Sequence, residues 1–281
     1  MSMRSIIFRL IKVALFVYIV AAGIVFLAQD KIIYHPLRGT EADFLESAKR
    51  KNVEPWRNAQ GQIIGWHRTN PRAGKRLVVF NGNAGSALDR SFYIDAFQTL
   101  GGGTVWDVWL FEYPGYGPRP GTIGKDAFIA AGREALQQLL SEGTHPVFLL
   151  GESVGGGVAC ALAAEMPDRI SGLALVVPFA RMEEVAQEKF RLLPVKYLLR
   201  DKYDNIAALA SFRKPVAFAI AEKDDVIGPA QGHKLHDSYA GPKLLHEFRG
   251  ADHNSFDTRF EADWFGRIGD FLREGRCGSD E

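Results

Sequence analysis

Residues 147–157 read VFLLGESVGGG, and the interpretation of the whole chain depends on this stretch. Its first four residues predict a buried strand, and the small residues that follow Ser153 predict a helix packed closely against that strand. A serine at a tight strand-to-helix turn projects its hydroxyl from the sheet edge, and Gly151 and Gly155 leave room around it. The motif predicts a nucleophilic Ser153, with a merely structural small-residue turn as the alternative.

Short apolar runs rich in β-formers alternate with helical stretches from about residue 32 to residue 273. This repeated alternation predicts an α/β fold, with a mostly parallel central sheet and helices on both of its faces. The predicted strands are residues 62–68, 77–80, 105–111, 147–150, 173–177, 216–220 and 244–248. The predicted helices are residues 87–100, 125–140, 154–166, 229–239 and 257–273.

The domain organisation is predicted as an N-terminal membrane anchor, one catalytic-size domain and a tail. The anchor covers residues 1–29, the main domain residues 30–274, and a flexible tail residues 275–281. Residues 178–213 interrupt the alternation with mixed aromatic, basic and apolar residues, so we expect a small cap over one edge of the sheet.

Composition excludes several classes of protein. Among 281 residues, 47% are hydrophobic and 24% are charged, which is typical of a soluble globular chain and not of a disordered or polytopic membrane chain. The net charge of +1 gives no field that would favour a nucleic-acid partner. Two cysteines, Cys160 and Cys277, are too few for a disulfide scaffold or a thiolate metal site.

The anchor prediction comes from residues 13–28, VALFVYIVAAGIVFLA, which contain no charge. Counted from residue 10, the run is roughly 28 Å long as a helix, close to the ~30 Å hydrocarbon layer. Arg4, Arg9 and Lys12 lie on its N-terminal side, with Lys12 directed toward the headgroups. The positive-inside rule therefore predicts a cytoplasmic N-terminus and a catalytic domain on the outer side, periplasmic in a bacterium.

A cleaved secretory signal is the alternative interpretation of the same segment, because a basic leader precedes the apolar run and Ala28 ends it. Against cleavage, the run is longer than the usual ~7 to 15 residues, and bulky Phe26 would lie three residues before the cut. These two features favour a retained single-pass anchor.

A serine nucleophile needs a base, and the base needs a carboxylate that fixes its tautomer. His253 is the predicted base, because it lies in the turn GADHN (residues 250–254) after the last predicted strand. Asp224 is the predicted acid, in the run AEKDD at the carboxyl end of a strand, with Asp225 as the alternative. The order Ser, Asp, His is the one found in one hydrolase architecture.

The remaining histidines give no metal prediction. His233 and His236 are one turn apart on a predicted helix, but no Cys or third ligand is near them in sequence, so a solvated helix face is expected. Structural roles are expected for the other four, His35, His67, His145 and His246. We predict neither a metal site nor a cofactor.

An oxyanion hole requires two backbone N–H groups aimed at the developing negative charge. Val154 supplies one, because it directly follows the nucleophile. Asn83 is the predicted second donor, in the loop NGNAG (residues 81–85) after the strand LVVF. An ordinary Asn-Gly turn explains this loop alone equally well, so the prediction depends on the position of the loop in the chain.

Taken together, these motifs resemble those of α/β-hydrolases, over residues 31–273. The membrane run, QDKIIYHP (residues 29–36), NGNAGS, EYPGYG (residues 112–117), GESVGG, EKDD and ADHNS are similar in order and spacing to membrane-anchored serine hydrolases that include eukaryotic protein depalmitoylases. The resemblance implies the same triad and oxyanion donors. Three positions depart from that family's pattern: Asn81 replaces His, Pro114 replaces Arg, and Arg119 replaces Ser.

The predicted function is hydrolysis of a carboxylic ester or thioester through an acyl-enzyme on Ser153, with an acyl or lipid-like substrate. An apolar cap and a membrane anchor favour such a substrate. An acyltransferase or a peptidase on the same fold remains open, and so does a membrane-tethered binding module without catalysis. The sequence predicts no oligomeric state.

Overall fold

The computed structural model describes residues 3–99, 106–255 and 263–275. The strands are β1 (His35–Pro36), β2 (Glu54–Arg57), β3 (Ile63–His67), β4 (Lys75–Phe80), β5 (Ala84–Gly85), β6 (Trp106–Phe111), β7 (Val147–Glu152), β8 (Ile170–Val176), β9 (Val216–Ala221) and β10 (Lys243–Phe248). The helices are α1 (Met3–Ile33), α2 (Glu41–Arg50), α3 (Phe92–Thr99), α4 (Lys125–Ser141), α5 (Val154–Glu165), α6 (Met182–Lys189), α7 (Val195–Leu198), α8 (Asn205–Leu209), α9 (Pro229–Ser238) and α10 (Asp263–Glu274).

The central sheet has the order β10-β9-β8-β7-β4-β6-β3-β2 within the described residues. From β10 to β6 the neighbouring strands are parallel, whereas β3 pairs antiparallel with both β6 and β2. β7 and β9 are buried along their whole length, as continuous apolar strands covered on both faces must be. The carboxyl ends of the parallel strands therefore meet at one edge, where an α/β protein places its site.

Helices cover both faces of the sheet, which confirms the predicted fold class. One core cluster joins α4, α5 and α9 to the sheet, through residues such as Phe128, Val158 and Leu235. A second cluster on the other face joins α2, α3 and α10, through residues such as Phe44, Phe97 and Phe265. Two separate cores with the sheet between them are the expected result of this layer arrangement.

α1 is long and apolar enough to cross a membrane, and most of its side chains are exposed. It continues without a break to Ile33, four residues beyond the predicted end of the anchor. β1 follows at once and pairs in parallel with β5, a two-residue strand in the loop after β4. The N-terminal helix is therefore joined to the main domain by secondary structure and not by a linker.

Residues 178–213, the predicted cap, contain the short helices α6, α7 and α8. The cap lies against the C-terminal part of α1. Gln29 is buried between them: its amide donates to the carbonyls of Phe26 and Leu198, and its oxygen accepts from the N–H of Arg200. Arg200 also pairs with Asp30 at 2.6 Å.

The sequence predicted one helix over residues 87–100 where the structure has a 3₁₀ turn, Ala87–Arg90, followed by α3. Ser86 and Asp89 form a capping box at the 3₁₀ turn, which gives that turn its own N-terminus. The predicted helix 257–273 begins in a segment outside the described residues, and its described part is α10. The sequence reasoning did not identify β1, α2, β2 or β5.

Candidate active site

Ser153 lies at the turn between β7 and α5 in a strained backbone conformation, with φ 54° and ψ −118°. Positive φ is costly for a residue with a Cβ and persists only where the surroundings impose it. A Cβ on Gly155 would lie 2.1 Å from the carbonyl oxygen of Phe80, and one on Gly151 would lie 2.5 Å from the Cα of Gly156. Both glycines are therefore required for the close approach of α5 to β4 and β7.

The structure brings the three residues of the predicted triad into contact. His253 Nε2 lies 3.2 Å from Ser153 Oγ, and His253 Nδ1 lies 2.8 Å from Asp224 Oδ2. All three side chains are buried, although they come from distant parts of the chain. The tautomer with its proton on Nδ1 donates to Asp224 and leaves Nε2 free to accept the Ser153 proton.

The Asp224 carboxylate is held by more than the histidine. Its Oδ1 accepts the backbone N–H groups of Val226 at 2.9 Å and Ile227 at 2.8 Å. Burial alone would raise the pKa of this carboxyl, but the hydrogen bonds from His253, Ile227 and Val226 together lower it below its ordinary value. Asp225, the alternative acid, is exposed, and its carbonyl accepts from Lys189 Nζ.

The loop after β4 lies beside the nucleophile. A Cβ built on Gly82 would lie 3.5 Å from Ser153 Cβ. Val154 is the first residue of α5, so its backbone N–H has no acceptor within the helix. Within the described residues, the backbone N–H of Asn83 also lacks a hydrogen-bond acceptor. Two candidate donors thus lie near Ser153: Val154 follows it in sequence, and Asn83 follows Gly82.

Asn83 is held in place by hydrogen bonds to residues that the sequence did not assign to the site. Its side-chain Nδ2 donates to the carbonyl of Ile33 at 2.7 Å, and its own carbonyl accepts from the N–H of His35 at 2.8 Å and from the Tyr116 hydroxyl at 2.7 Å. The Tyr113 hydroxyl donates to the carbonyl of Asn81 at 2.9 Å. The order of the motifs NGNAGS and EYPGYG was visible in the sequence, but their mutual contact was not.

Glu152, the residue before the nucleophile, is buried and forms an ion pair with the partly buried Arg90. Both Glu152 oxygens accept from Arg90, with Nη2 to Oε1 at 2.6 Å and Nε to Oε2 at 2.9 Å. Burial tends to lower the pKa of Arg90, but the charge and hydrogen bonds of Glu152 outweigh burial and raise it. The sequence signal for this ion pair was the acidic residue between Gly151 and Ser153 at the end of a buried strand, because a buried carboxylate needs a basic partner.

Glu112 is a third buried carboxyl, at the carboxyl end of β6. Its oxygens accept from the backbone N–H of Ala87 at 3.0 Å and from Trp66 Nε1 at 3.2 Å. Burial raises the pKa of Glu112 to about 7 in spite of these bonds. Gly117, at φ 54°, packs on this side chain, and a Cβ there would lie 2.5 Å from Glu112 Oε2. The carboxyl therefore leaves no room for a side chain at position 117.

A small apolar cleft of about 60 Å³, open to the surroundings, lies between α1 and the cap. Its lining on α1 includes Phe26 and Ile33, and its lining on the cap includes Phe190, Leu193 and Leu198. None of its lining residues belongs to the triad. One lining residue, Ile33, accepts a hydrogen bond from Asn83 Nδ2 through its backbone carbonyl.

The predicted solvated histidine pair does not form a joint site. His233 Nε2 lies 3.0 Å from Glu247, whereas His236 Nδ1 lies 2.9 Å from Asp237. No group of three or more His, Cys, Asp or Glu side chains suited to a metal ion occurs within the described residues. Cys160 is buried in α5, where burial raises the pKa of its thiol.

Comparison with known proteins gives a family. A family sequence model described as the alpha/beta hydrolase fold matches residues 75–206. The uncharacterized protein Rv2307c of Mycobacterium tuberculosis is 30% identical, over 88% of this chain and 89% of its own length. The lysophosphatidylserine lipase ABHD12 of Mus musculus is 24% identical, over 69% of this chain and 53% of that protein.

Solved structures share the fold at low sequence identity. The esterase Pf2001 of Pyrococcus furiosus superposes with a TM-score of 0.65 and 17% identity, covering 88% of this chain and 99% of that chain. The mostly parallel sheet agrees with that likeness. The family sequence model and the relative of 30% identity show that the chain belongs to the α/β-hydrolase fold family.

Proposed function

We propose that this protein is a serine hydrolase that cleaves a carboxylic ester or thioester through an acyl-enzyme on Ser153. The position of His253, 3.2 Å from Ser153 Oγ and 2.8 Å from Asp224, is the observation that carries the proposal. A base held between a hydroxyl and a carboxylate is the arrangement that activates a serine.

The reaction follows from these positions. Ser153 Oγ attacks the carbonyl carbon of the substrate while His253 Nε2 takes the hydroxyl proton, and the imidazolium is stabilised by Asp224. The N–H groups of Asn83 and Val154 stabilise the oxyanion, and loss of one such donor typically costs ~2.7–4 kcal/mol. His253 then protonates the leaving alcohol or thiol, and the carbon–oxygen or carbon–sulfur bond breaks.

Water completes the cycle. It attacks the acyl carbon of the Ser153 ester while His253 takes one of its protons, and the tetrahedral intermediate collapses to release the carboxylic acid. Ser153 Oγ recovers its proton from His253. No electron transfer occurs in either half of the cycle, so the proposal needs only the triad, the two oxyanion donors and water.

The substrate is proposed to carry an acyl chain, as a lipid ester or an acylated thiol of the kind that protein depalmitoylases cleave. Three observations support this substrate class: the small apolar cleft between α1 and the cap, the membrane-type helix α1 that forms one wall of it, and the likeness to a lysophosphatidylserine lipase. Apolar surface of this kind is what covers an acyl chain favourably.

α1 is proposed to be a retained single-pass anchor with its N-terminus in the cytoplasm. A hydrogen bond of 2.8 Å from the Tyr18 hydroxyl to the carbonyl of Leu192 in the cap supports retention, because cleavage at residue 28 would remove Tyr18 and this contact. Carbonate extraction and protease protection in intact cells test the anchor and its orientation. Release by carbonate, or a shortened chain in the membrane fraction, would contradict it.

Labelling with a fluorophosphonate tests the catalytic proposal. The parent and the control Ser141→Ala, at the exposed end of α4, should both label and hydrolyse short p-nitrophenyl esters. Ser153→Ala should do neither while keeping the melting temperature of the parent. A parent that does not label, or a Ser153→Ala variant with the activity of the parent, would refute the assignment.

A further inference from the structure

The EYPGYG motif, residues 112–117, forms a tight turn whose shape follows from its sequence. The N–H of Tyr116 donates to the carbonyl of Tyr113 at 3.0 Å, and Gly115 has φ 80°. Proline at the second position of a turn and a glycine of positive φ at the third are typical of type II. A Cβ on Gly115 would also lie 2.7 Å from Ile123 Cγ1. The turn therefore places the two tyrosines side by side, one at each of its ends.

The rings of Tyr113 and Tyr116 are fully buried, in packing that fixes their positions. Their centroids lie 5.5 Å apart in an edge-to-face arrangement. Both rings also pack on Phe128, with centroid distances of 4.2 Å for Tyr113 and 5.7 Å for Tyr116. Burial raises the pKa of both hydroxyls, so each keeps the proton that it donates. The turn thus supplies two hydroxyl donors in fixed positions.

The two hydroxyls bind carbonyls that lie two residues apart in the loop NGNAG. Tyr113 donates to the carbonyl of Asn81 at 2.9 Å, and Tyr116 donates to the carbonyl of Asn83 at 2.7 Å. Between them, Asn81 Nδ2 donates to the carbonyl of Gly82 at 3.0 Å. Three consecutive carbonyls of this loop therefore each accept a hydrogen bond from a side chain.

This pattern sets the direction of the Asn83 N–H. The carbonyl of Gly82 and the N–H of Asn83 belong to one planar peptide group and point in opposite directions. The hydrogen bonds of the two tyrosines hold the peptide groups on either side, so the middle one cannot rotate alone. An oxyanion donor must be aimed before the charge develops, and a displacement of about 1 Å can cost roughly 10²-fold in rate.

We propose that Tyr113 and Tyr116 are positioning residues for the reaction on Ser153: their hydroxyls hold the loop so that the Asn83 N–H is aimed at the developing oxyanion. The inference rests on the proposed hydrolase function. It gives the EYPGYG turn a role in the rate of the reaction. Both tyrosines act through Asn83, and neither exchanges a proton with the substrate.

Tyr113→Phe and Tyr116→Phe test the proposal, because each removes a hydroxyl and keeps the packed ring. For the full-length protein in detergent, kcat on p-nitrophenyl butyrate should fall by about three- to tenfold in each variant. KM should stay unchanged, since the oxyanion exists in the transition state and not in the bound substrate. Tyr239→Phe is the matched control: its hydroxyl donates to the carbonyl of Lys214, at the amino end of β9, and the parent rate is expected.

Inhibition by an alkyl trifluoromethyl ketone measures the oxyanion contact directly. Ser153 Oγ adds to the ketone carbon, the hydroxyl proton passes to His253, and the ketone oxygen becomes the oxyanion. The inhibition constant should rise in both variants by the factor by which kcat/KM falls, and it should not change in Tyr239→Phe. Total fluorophosphonate labelling counts the folded sites, so every rate is expressed per labelled Ser153.

The outcomes separate this inference from the proposed function. A variant with the kcat and the inhibition constant of the parent would remove that tyrosine from the assignment while the hydrolase stands. A lower kcat with an unchanged inhibition constant, or a higher KM with an unchanged kcat, would overturn the inference too, because the tyrosines would then not act through the oxyanion. If the parent neither labels nor hydrolyses the ester, the proposed function fails, and this inference fails with it.

Discussion

Asn83 Nδ2 donates a hydrogen bond to the carbonyl oxygen of Ile33 at 2.7 Å, and this contact joins the loop beside Ser153 to the last residue of α1. The same loop also pairs with β1 through the N–H of His35. The proposed oxyanion donor is therefore positioned by the end of α1 and by β1, which precede the central sheet in sequence.

Asn83→Ala removes that hydrogen bond and keeps the backbone N–H. A buried hydrogen bond contributes about 0.5–1.5 kcal/mol, so we expect kcat on a short ester to fall by up to about tenfold with KM little changed. Asn58→Ala, in the turn between β2 and β3, is the matched control and should keep the parent rate. An Asn83→Ala variant with the parent kcat would show that the loop needs no support from α1.

Asp224→Asn and Asp225→Asn form a matched pair one residue apart. The first leaves His253 without its carboxylate partner, and kcat should fall by about 10⁴-fold, the loss known for the same change in a Ser-His-Asp protease. The second changes an exposed side chain and should leave kcat unchanged. Steady-state kinetics with matched melting curves measures both, and equal losses in the two variants would remove the assignment of Asp224.

Arg90→Met leaves the Glu152 carboxylate buried without its partner. Breaking a buried ion pair on one side costs about 3–5 kcal/mol of unfolding free energy. In a protein of this size that corresponds to a drop in melting temperature on the order of 10 °C. The double variant Arg90→Met, Glu152→Met should recover most of the loss. A double variant as unstable as Arg90→Met would mean that the residues stabilise the fold through other contacts.

Glu112 gives a stability change with pH whose sign follows from its raised pKa. The folded carboxyl, with a pKa of about 7 against 4.5 ordinarily, binds a proton more tightly than the unfolded one. Its contribution is therefore fully present below pH 4.5 and is lost as the pH rises through about 7, by about 3 kcal/mol in total.

The comparison with Glu112→Gln isolates this group, because the variant cannot ionise. Between pH 5 and pH 8 the melting temperature of the parent should fall relative to that of Glu112→Gln, as followed by differential scanning fluorimetry in detergent. Parallel pH profiles for the two proteins would show that Glu112 does not titrate in this range.

Much of this architecture was predictable from the sequence, because buried parallel strands carry their signal locally. β7 and β9 are continuous apolar runs, and the turn at Ser153 needs glycine at fixed positions. The contact of His253 with Ser153 and Asp224 was also anticipated, since the ends of parallel strands meet at one edge of a sheet. The catalytic roles of these residues stay predictions.

The parts that were missed depend on contacts between distant segments. β1 and β5 have two residues each, too few for any periodic signal in the sequence. They form because the end of α1 places His35 beside the loop after β4. Gln187 and Gln29 look like ordinary polar residues in the sequence, and their importance comes from the carbonyl groups that the fold places around them. Such roles follow from tertiary structure and leave no local pattern.

The unbroken passage from α1 through Ile33 into β1 has a geometric consequence for the proposed hydrolase. If α1 is the anchor proposed above, a domain joined to it without a flexible linker keeps one orientation relative to the bilayer. Ser153 would then stay at one height above the membrane, which would favour substrates held in that membrane. Substrate selection would then depend first on whether a molecule lies in that membrane, and only afterwards on its fit to the site.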